Sequence, residues 1–428
     1  MLNATWKFSF GTVDQGGFAA VPKASDGTCD YMRNLRICHL GKYYPPMHGG
    51  IENHVQTLAR TQAELGHDVR VFCLNHESGP TLREYDGPIE VTRFGRALSA
   101  AKIDYCPDLA SELARLDVDV VHLQAPNPTM IVGLLSTRMN RPLVVTYQSD
   151  VVKQKLRGVL FRPLERMAYR RVRAVIATSP VYAEGSSFLR GYADLVRVVP
   201  LGIDLAPFLE PAADLVDRAA TIRAEHPGPI WLGCGRLVYY KGFIHAIRAL
   251  SRVEGKLFLV GQGPDRAALE AEARRLGVSD RVIFLGGLPE ARDLIPYYLA
   301  ATAFWFPSNA RSEAFGLVQV EAMACGSPVI NTSIPHSGVS WVSRHEETGL
   351  TVPIDDPVAL GDAANRLLRE PGLRDRLGSA ARRRALTEFN HHTMTERNLA
   401  VYREVLGERT DSIETKIARI VPAASVKS

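Results

Sequence analysis

Glu313 and Glu321 bracket seven residues in the stretch Pro307-Ser308-Asn309-Ala310-Arg311-Ser312-Glu313-Ala314-Phe315-Gly316-Leu317-Val318-Gln319-Val320-Glu321-Ala322-Met323-Ala324-Cys325-Gly326. The apolar run Ala303 to Phe306 before it reads as a strand, and Gly326 is placed to stop the helix that follows. Near the expected helix start, Gly316 removes a side chain where a ligand has to come close. A helix N-terminus offers free N–H groups and a partial positive charge, which suits an anion such as a diphosphate. On one continuous helix this spacing advances the chain by ~12 Å, beyond the roughly 5–9.5 Å of a glycosidase pair acting across one bond. Two carboxylates so placed hold different parts of one long ligand. A capped core helix with Glu321 solvated on its outer face fits the same residues.

A second set lies upstream. In Gly235-Arg236-Leu237-Val238-Tyr239-Tyr240-Lys241-Gly242 a strand ends at a glycine and two cations follow, five positions apart. Arg through its fork and Lys as a point charge can neutralise a leaving diphosphate; a solvated basic turn is the alternative. Gly49-Gly50 follows the strand Leu35 to Leu40, and a tight turn explains it as readily as a ligand. Gln148 and Asp150 form the polar tip of a buried strand read over Arg141 to Asp150. Asp117 and Asp119 invite a metal, yet they directly precede a strand and lack further oxygen ligands, so a strand-leading turn is the reading.

The elements that must position these residues alternate strand and helix, the pattern of doubly wound parallel sheets. At 428 residues the chain exceeds what one core fills, so two domains are expected. The expected division is an N-terminal arm over 1–33, a first domain over 34–205, a second over 206–389, a terminal helix near 390–406 crossing back to the first, and a tail over 407–428. A net charge of +5 does not imply nucleic acid. The six scattered cysteines have no metal spacing and suggest reduced thiols in a cytosolic protein. No run approaches the ~20 apolar residues of a membrane span. Residues 153–173 carry Lys153, Lys155, Arg157, Arg162, Arg166, Arg170, Arg171 and Arg173 against Glu165, with Leu156, Leu160, Leu164 and Met167 at helical spacing. That pattern fits the surface of an anionic membrane or a helix whose arginines lie over the core.

The Glu313-to-Glu321 spacing followed by Ala-Met-Ala-Cys-Gly-Ser-Pro-Val-Ile resembles the E-x(7)-E signature of the family 4 retaining glycosyltransferases, from about Leu35 to about Leu406. The resemblance implies the GT-B fold, two doubly wound Rossmann-like domains across a cleft. It implies Glu313 on the transferred sugar, Arg236 and Lys241 on the donor diphosphate, and Glu321 on the ribose. Gly49, Gly50, Phe315, Gly316 and Leu317 would meet sugar and diphosphate, and the backbone of Gly287 and Leu288 the base. In many members a histidine stands where this chain has Gln148. Glutamine exchanges hydrogen bonds but takes no proton, so Gln148 and Asp150 stay sugar-facing candidates only.

The expected activity is metal-independent hexose transfer with retention, from a GDP-mannose or UDP-glucose type donor to a lipid-linked saccharide, without a cofactor. The expected location is cytoplasmic, on the inner face of the plasma membrane where 153–173 binds it. Nucleotide-sugar 2-epimerases share the fold and would need no acceptor; a phosphorylase would need a Lys-bound cofactor, for which no signature is seen; a degenerate binding protein would not keep these charges.

Overall fold

The computed structural model describes residues 33–408 except 48, 78, 101–102, 149–154 and 289, with backbone only for 100 and 155–160. Asp150, Lys153, nearly all of the expected N-terminal arm and the tail from 409 lie outside the described residues.

Two separate sheets organise the chain. The first contains β1 (Arg36–Leu40), β2 (Asp68–Leu74), β3 (Leu82–Asp86) and β4 (Ile89–Phe94). A small hairpin, β5 (Leu98–Ala100) and β6 (Ile103–Tyr105), stands apart from it. β7 (Val120–Ala125), β8 (Leu143–Tyr147), β9 (Val172–Ala177) and β10 (Val196–Val198) complete it. Its order is β10-β9-β8-β7-β1-β2-β4-β3, parallel except for β3. The second sheet is β11 (Ile230–Cys234), β12 (Lys256–Val260), β13 (Val282–Gly286), β14 (Ala303–Phe306), β15 (Val329–Thr332) and β16 (Gly349–Val352). Its order, β13-β12-β11-β14-β15-β16, is all parallel.

Central strands are short, buried and mostly apolar runs because helices cover both faces. β14, Ala-Phe-Trp-Phe, is buried at every position, and Trp305 stacks on Trp231 of β11 at 5.1 Å. In the second sheet the strand order reverses between β11 and β14, in the first between β1 and β7. At such a reversal the loops leaving the two strands part in opposite directions and open a crevice at the carboxyl ends. Arg236 and Lys241 follow β11, and Glu313 follows β14. Topology alone brings both sets to one crevice.

The helix after β14 is shorter than the spacing suggests. It runs from Leu317 to Ala324, so Glu313 lies in a turn four residues before it and only Glu321 is helical. The rise of a continuous helix therefore does not set the separation of the two carboxylates. β3 to β6 and the helices Leu109–Arg115 and Pro128–Leu135 were not legible: β3 is largely exposed and mixes charge with apolar residues, as an edge strand does.

The helix His391–Leu406 packs on the first sheet, where Met394, Leu399, Val401 and Tyr402 share a core with Leu35, Ile37 and Val120. A buried polar chain ties it down. His39 Nε2 donates to Gln62 Oε1 (2.7 Å), and Gln62 Nε2 donates to the Tyr402 hydroxyl (3.4 Å). Tyr402 donates in turn to His122 Nδ1 (2.6 Å), leaving His122 Nε2 to donate to Thr146 Oγ1 (2.7 Å). His122 accepts at Nδ1 and donates at Nε2, so its ring must be neutral. Burial lowers His39 to about 4 and His54 to about 3, and His39 adds to the shift at His54. These folded-state values lie below the ordinary 6.5. Stability is therefore complete above about pH 6.5 and falls with pH, by about 1.4 kcal/mol per unit for each histidine. Both ring nitrogens of buried His54 lack partners, so His54→Leu should flatten the slope of unfolding free energy against pH between about 6.5 and 5 by roughly that amount. Urea titrations giving the same slope for both proteins would mean that native His54 takes up the proton.

Candidate active site

The loops that leave β11 and β14 interlock through glycines. Gly242 has φ 66°, and a Cβ there would lie 2.0 Å from the Pro307 carbonyl oxygen. Gly235 has φ 141°, and a Cβ there would lie 3.1 Å from Lys241 Cε. Glycine is thus required for the close approach as well as for the backbone angle. The Asn309 N–H donates to the Tyr240 carbonyl (2.9 Å) and joins the two loops.

Lys241 Nζ lies 2.5 Å from Glu313 Oε2, both side chains being 13% exposed. Nζ also stands 5.0 Å from the centre of the Phe306 ring. Gly316, at φ 79°, comes so near the same ring that a Cβ would be 2.7 Å from Phe306 Cζ. Lys241, Glu313 and Gly316 therefore meet around one aromatic side chain from β14. Gly316 precedes the helix without a side-chain cap, which leaves the first-turn N–H groups of Leu317–Ala324 to other acceptors.

The Glu313 turn is braced from beneath. Glu313 N–H donates to Ala310 O (2.9 Å), Ser337 Oγ donates to Glu313 O (2.5 Å), and Gly338 N–H donates to Ala314 O (2.9 Å). Inside the helix, buried Gln319 donates from Nε2 to Phe315 O (2.9 Å) and accepts from Asn331 Nδ2 (3.0 Å). The peptide between Phe315 and Gly316 is thereby held by two side chains with fixed amide orientations.

Glu321 has a different environment. Its Oε2 accepts from the Tyr298 hydroxyl (2.8 Å), and burial raises its pKa while that bond lowers it. Cys234 lies within electrostatic reach of both Glu321 and Lys241, and burial and Glu321 push its thiol up to about 12. Leu288 packs into the same core as Phe315, Val320 and Tyr298. Gly287 lies beside Gln262, 3.3 Å separating Nε2 from the position of a Cβ. Arg236 donates from Nη2 to the Tyr240 hydroxyl (2.9 Å) and stays on the exposed side of the loop.

Gly49, Gly50 and Gln148 lie at the carboxyl edge of the first sheet. Gly49 is extended and precedes the helix Gly50–Glu64; a Cβ on it would strike the Glu52 carboxylate. Gln148 is buried and donates from Nε2 to Gln124 Oε1 (3.0 Å). Among the described residues no hydrogen bond or ion pair links these three to the Lys241 cluster. Asp117 and Asp119 pair with Arg36, and Asp117 also with Arg141. Among the described residues no group of three or more His, Cys, Asp or Glu gathers to hold a metal.

Sequence reading missed Arg311. Its guanidinium stacks 4.7 Å from the centre of the Tyr182 ring, while Nε donates to His336 O (3.1 Å) and Nη2 to Tyr182 O (3.4 Å). Tyr182 follows β9, so this contact fastens the Glu313 turn to the first sheet's loops. No local pattern signals a partner 129 positions away.

A sequence model of Glycosyltransferase Family 4 matches residues 48–207, and one of Glycosyl transferases group 1 matches residues 220–384. The D-rhamnosyltransferase WbpZ of Pseudomonas aeruginosa is 32% identical over 389 residues, 90% of this chain and 100% of the relative. The O-antigen chain mannosyltransferase C of Escherichia coli is 30% identical over 385 residues, 88% of this chain and 100% of the relative. Sucrose-phosphate synthase from Thermosynechococcus elongatus superposes with a TM-score of 0.71 at 25% identity, covering 88% of this chain and 100% of that one. WaaG, a glycosyltransferase involved in lipopolysaccharide biosynthesis, superposes with a TM-score of 0.65 at 19% identity, covering 87% and 100%. Matched over about nine-tenths of its length by such relatives, and folded around two largely parallel α/β sheets, the chain belongs to the family 4 glycosyltransferases and has the GT-B fold.

Proposed function

We propose that this glycosyltransferase moves a hexose from a nucleotide-diphosphate sugar to a hydroxyl of a lipid-linked saccharide, with retention at the anomeric carbon, during surface-polysaccharide assembly. The observation that supports this most is the meeting of Lys241, Glu313 and Gly316 around Phe306. In the reaction the bond from the anomeric carbon to the diphosphate oxygen breaks and a bond to the acceptor oxygen forms on the same face. The acceptor's proton passes to the leaving phosphate oxygen, so no protein nucleophile is needed. Lys241 and Arg236 take up the charge of the diphosphate together with the N–H groups at Phe315, Gly316 and Leu317. Glu313 orients the sugar hydroxyls and offsets the positive charge that develops on the ring. Glu321 accepts from the ribose hydroxyls in place of Tyr298, the backbone of Gly287 and Leu288 meets the base, and Gly49, Gly50 and Gln148 close the sugar side.

Lys241→Ala and Glu313→Ala should each abolish transfer. Each also strands a largely buried charge, so each should lower stability by about 1–3 kcal/mol, and the double variant should recover part of that loss, as a double-mutant cycle on urea midpoints would register. Wild-type turnover in either single variant would overturn the assignment.

The two relatives named above carry D-rhamnosyl and mannosyl in their names, both sugars of manno configuration, which makes GDP-mannose the first donor to try and UDP-glucose the second. The true donor should raise the melting temperature of the wild type, and a nucleotide sugar that leaves it unchanged is not the donor. Accumulation of an epimer from donor alone would favour the 2-epimerase reading instead.

Membrane attachment is a separate part of the proposal. In the helix Lys155–Tyr169, Leu164 and Met167 are exposed beside Arg166, although Arg162 stacks on Phe188 and Arg171 is engaged by the carbonyls of Leu134, Thr137 and Met139. Among the described residues no helix is long and apolar enough to cross a membrane. Sedimentation with vesicles should increase with their content of anionic lipid; equal sedimentation with neutral vesicles would remove this part.

A further inference from the structure

The chain leaves β16 as Pro353-Ile354-Asp355-Asp356-Pro357, with two acids side by side at the carboxyl edge of the second sheet. The two have different tasks. Asp356 caps the helix Pro357–Arg369, its Oδ1 accepting from the N–H groups of Val358 (3.0 Å) and Ala359 (2.9 Å). On the other side Ile354 packs against the core that holds Phe306 and Phe315. Asp355 stands between these anchors at φ 57°, a left-handed angle that glycine takes most readily and aspartate more readily than most residues. Neither the cap nor the core accounts for its carboxylate.

Oδ1 of Asp355 takes donors from two other loops. His245 Nε2 lies 2.9 Å away, and Asn309 Nδ2 donates at 2.7 Å. His245 is in the first turn of the helix Phe243–Leu250, four residues beyond Lys241. Asn309 is four residues before Glu313, and its own N–H donates to Tyr240 O (2.9 Å). One oxygen thus ties the loops after β11, β14 and β16 together, four residues from each member of the Lys241–Glu313 pair. His245 Nδ1 is buried without a partner among the described residues, so the bond to Asp355 is what fixes the ring. Burial lowers the His245 pKa more than Asp355 raises it, and the neutral ring donates from Nε2. With the Asp355 side chain 51% exposed, such a contact adds little to stability. What it sets is geometry.

We propose that Asp355 is a positioning residue for the transfer site. It holds His245 and Asn309, and through them the backbones that carry Lys241 and Glu313, at the spacing where ammonium and carboxylate meet. Without it the loop over 309–313 keeps its bond to Tyr240 but loses its side-chain tie to the helix that follows Lys241. A misplacement of about 1 Å in reacting groups can cost roughly a hundredfold in rate. The consequence for catalysis rests on the proposed roles of Lys241 and Glu313; the setting of their spacing does not.

The test is a double-mutant cycle from urea unfolding of the full chain, with Lys241→Ala and Glu313→Ala singly and together, run in the wild type, in Asp355→Gly and in Asp355→Asn. Glycine keeps the left-handed backbone and removes both bonds, whereas asparagine keeps an acceptor oxygen in the same place. The coupling between Lys241 and Glu313 should fall to about half or less in Asp355→Gly and return to most of its size in Asp355→Asn. A merely structural Asp355 would shift all members of the cycle equally and leave the coupling unchanged. That result overturns the proposal, as does a lost coupling that asparagine fails to restore. Turnover is then measured with GDP-mannose or UDP-glucose, whichever the wild type uses. In Asp355→Gly, kcat should fall about tenfold or more while the donor KM changes less than about threefold, and Asp355→Asn should recover it. Halved coupling with wild-type kcat would keep Asp355 as the spacer and remove the catalytic reading of the pair.

Discussion

The ion pair between Lys241 and Glu313 is the constraint on which the rest of the crevice depends. It joins the loops that leave β11 and β14, the two strands between which the sheet order reverses. A cation held near the start of a helix is opposed by the helix's partial positive charge. A carboxylate at 2.5 Å from Lys241 removes most of that cost. The protein thus does not have to hold an isolated ammonium in a largely buried place, and in the proposed transfer an incoming diphosphate would exchange partners with a satisfied cation. Preorganised charge of this kind needs little rearrangement when a leaving group develops its own. The glycines at 235, 242 and 316 follow from the same requirement, because each gives up a side chain where the two loops and the Phe306 ring come together.

Much of this was legible before any coordinates. The E-x(7)-E spacing, the Arg-to-Lys loop and the alternation of apolar strands with helical patterns name the fold and the residues that Lys241 and Glu313 represent. Register in a parallel sheet is strongly determined when both faces are buried, so strands such as Ala303–Phe306 and Lys256–Val260 are read at their true ends. The misreading of Glu313 as helical has a plain cause. Ser312 to Phe315 carries no residue hostile to a helix; the break falls at Gly316, left-handed at φ 79°, while bonds from Ser337 and Gly338 to the carbonyls of Glu313 and Ala314 hold the turn before it. Tertiary hydrogen bonds outweigh a weak local propensity.

Other contacts were beyond any local reading. The stacking of Arg311 on Tyr182 and the run from His39 through Gln62 and Tyr402 to His122 join residues far apart in sequence. Each of these residues reads by itself as a surface cation, a turn aromatic or a core histidine. Their value lies in direction: Tyr402 donates to one nitrogen of His122 and Thr146 accepts from the other, so the tautomer of that ring is fixed by its neighbours. The terminal helix is thus fastened to the first sheet by a polar seam inside an apolar contact, and that seam specifies how the helix seats.

The two glutamates of the motif show why spacing alone does not assign roles. Glu313 faces an ammonium, and Glu321 faces a neutral phenol in surroundings that raise its pKa. A carboxylate beside a cation is suited to a place where charge separates during reaction, because the pair can share whatever charge develops. A carboxylate whose burial disfavours its charge gains most from neutral hydroxyl donors, which stabilise the anion without adding a competing charge. Ribose offers such donors and a diphosphate does not. Placing Glu321 near the phosphates would oppose its negative charge to theirs in a site already reluctant to hold it. The difference in environment therefore favours dividing the work as proposed, with Glu313 at the reacting sugar and Glu321 at the nucleoside.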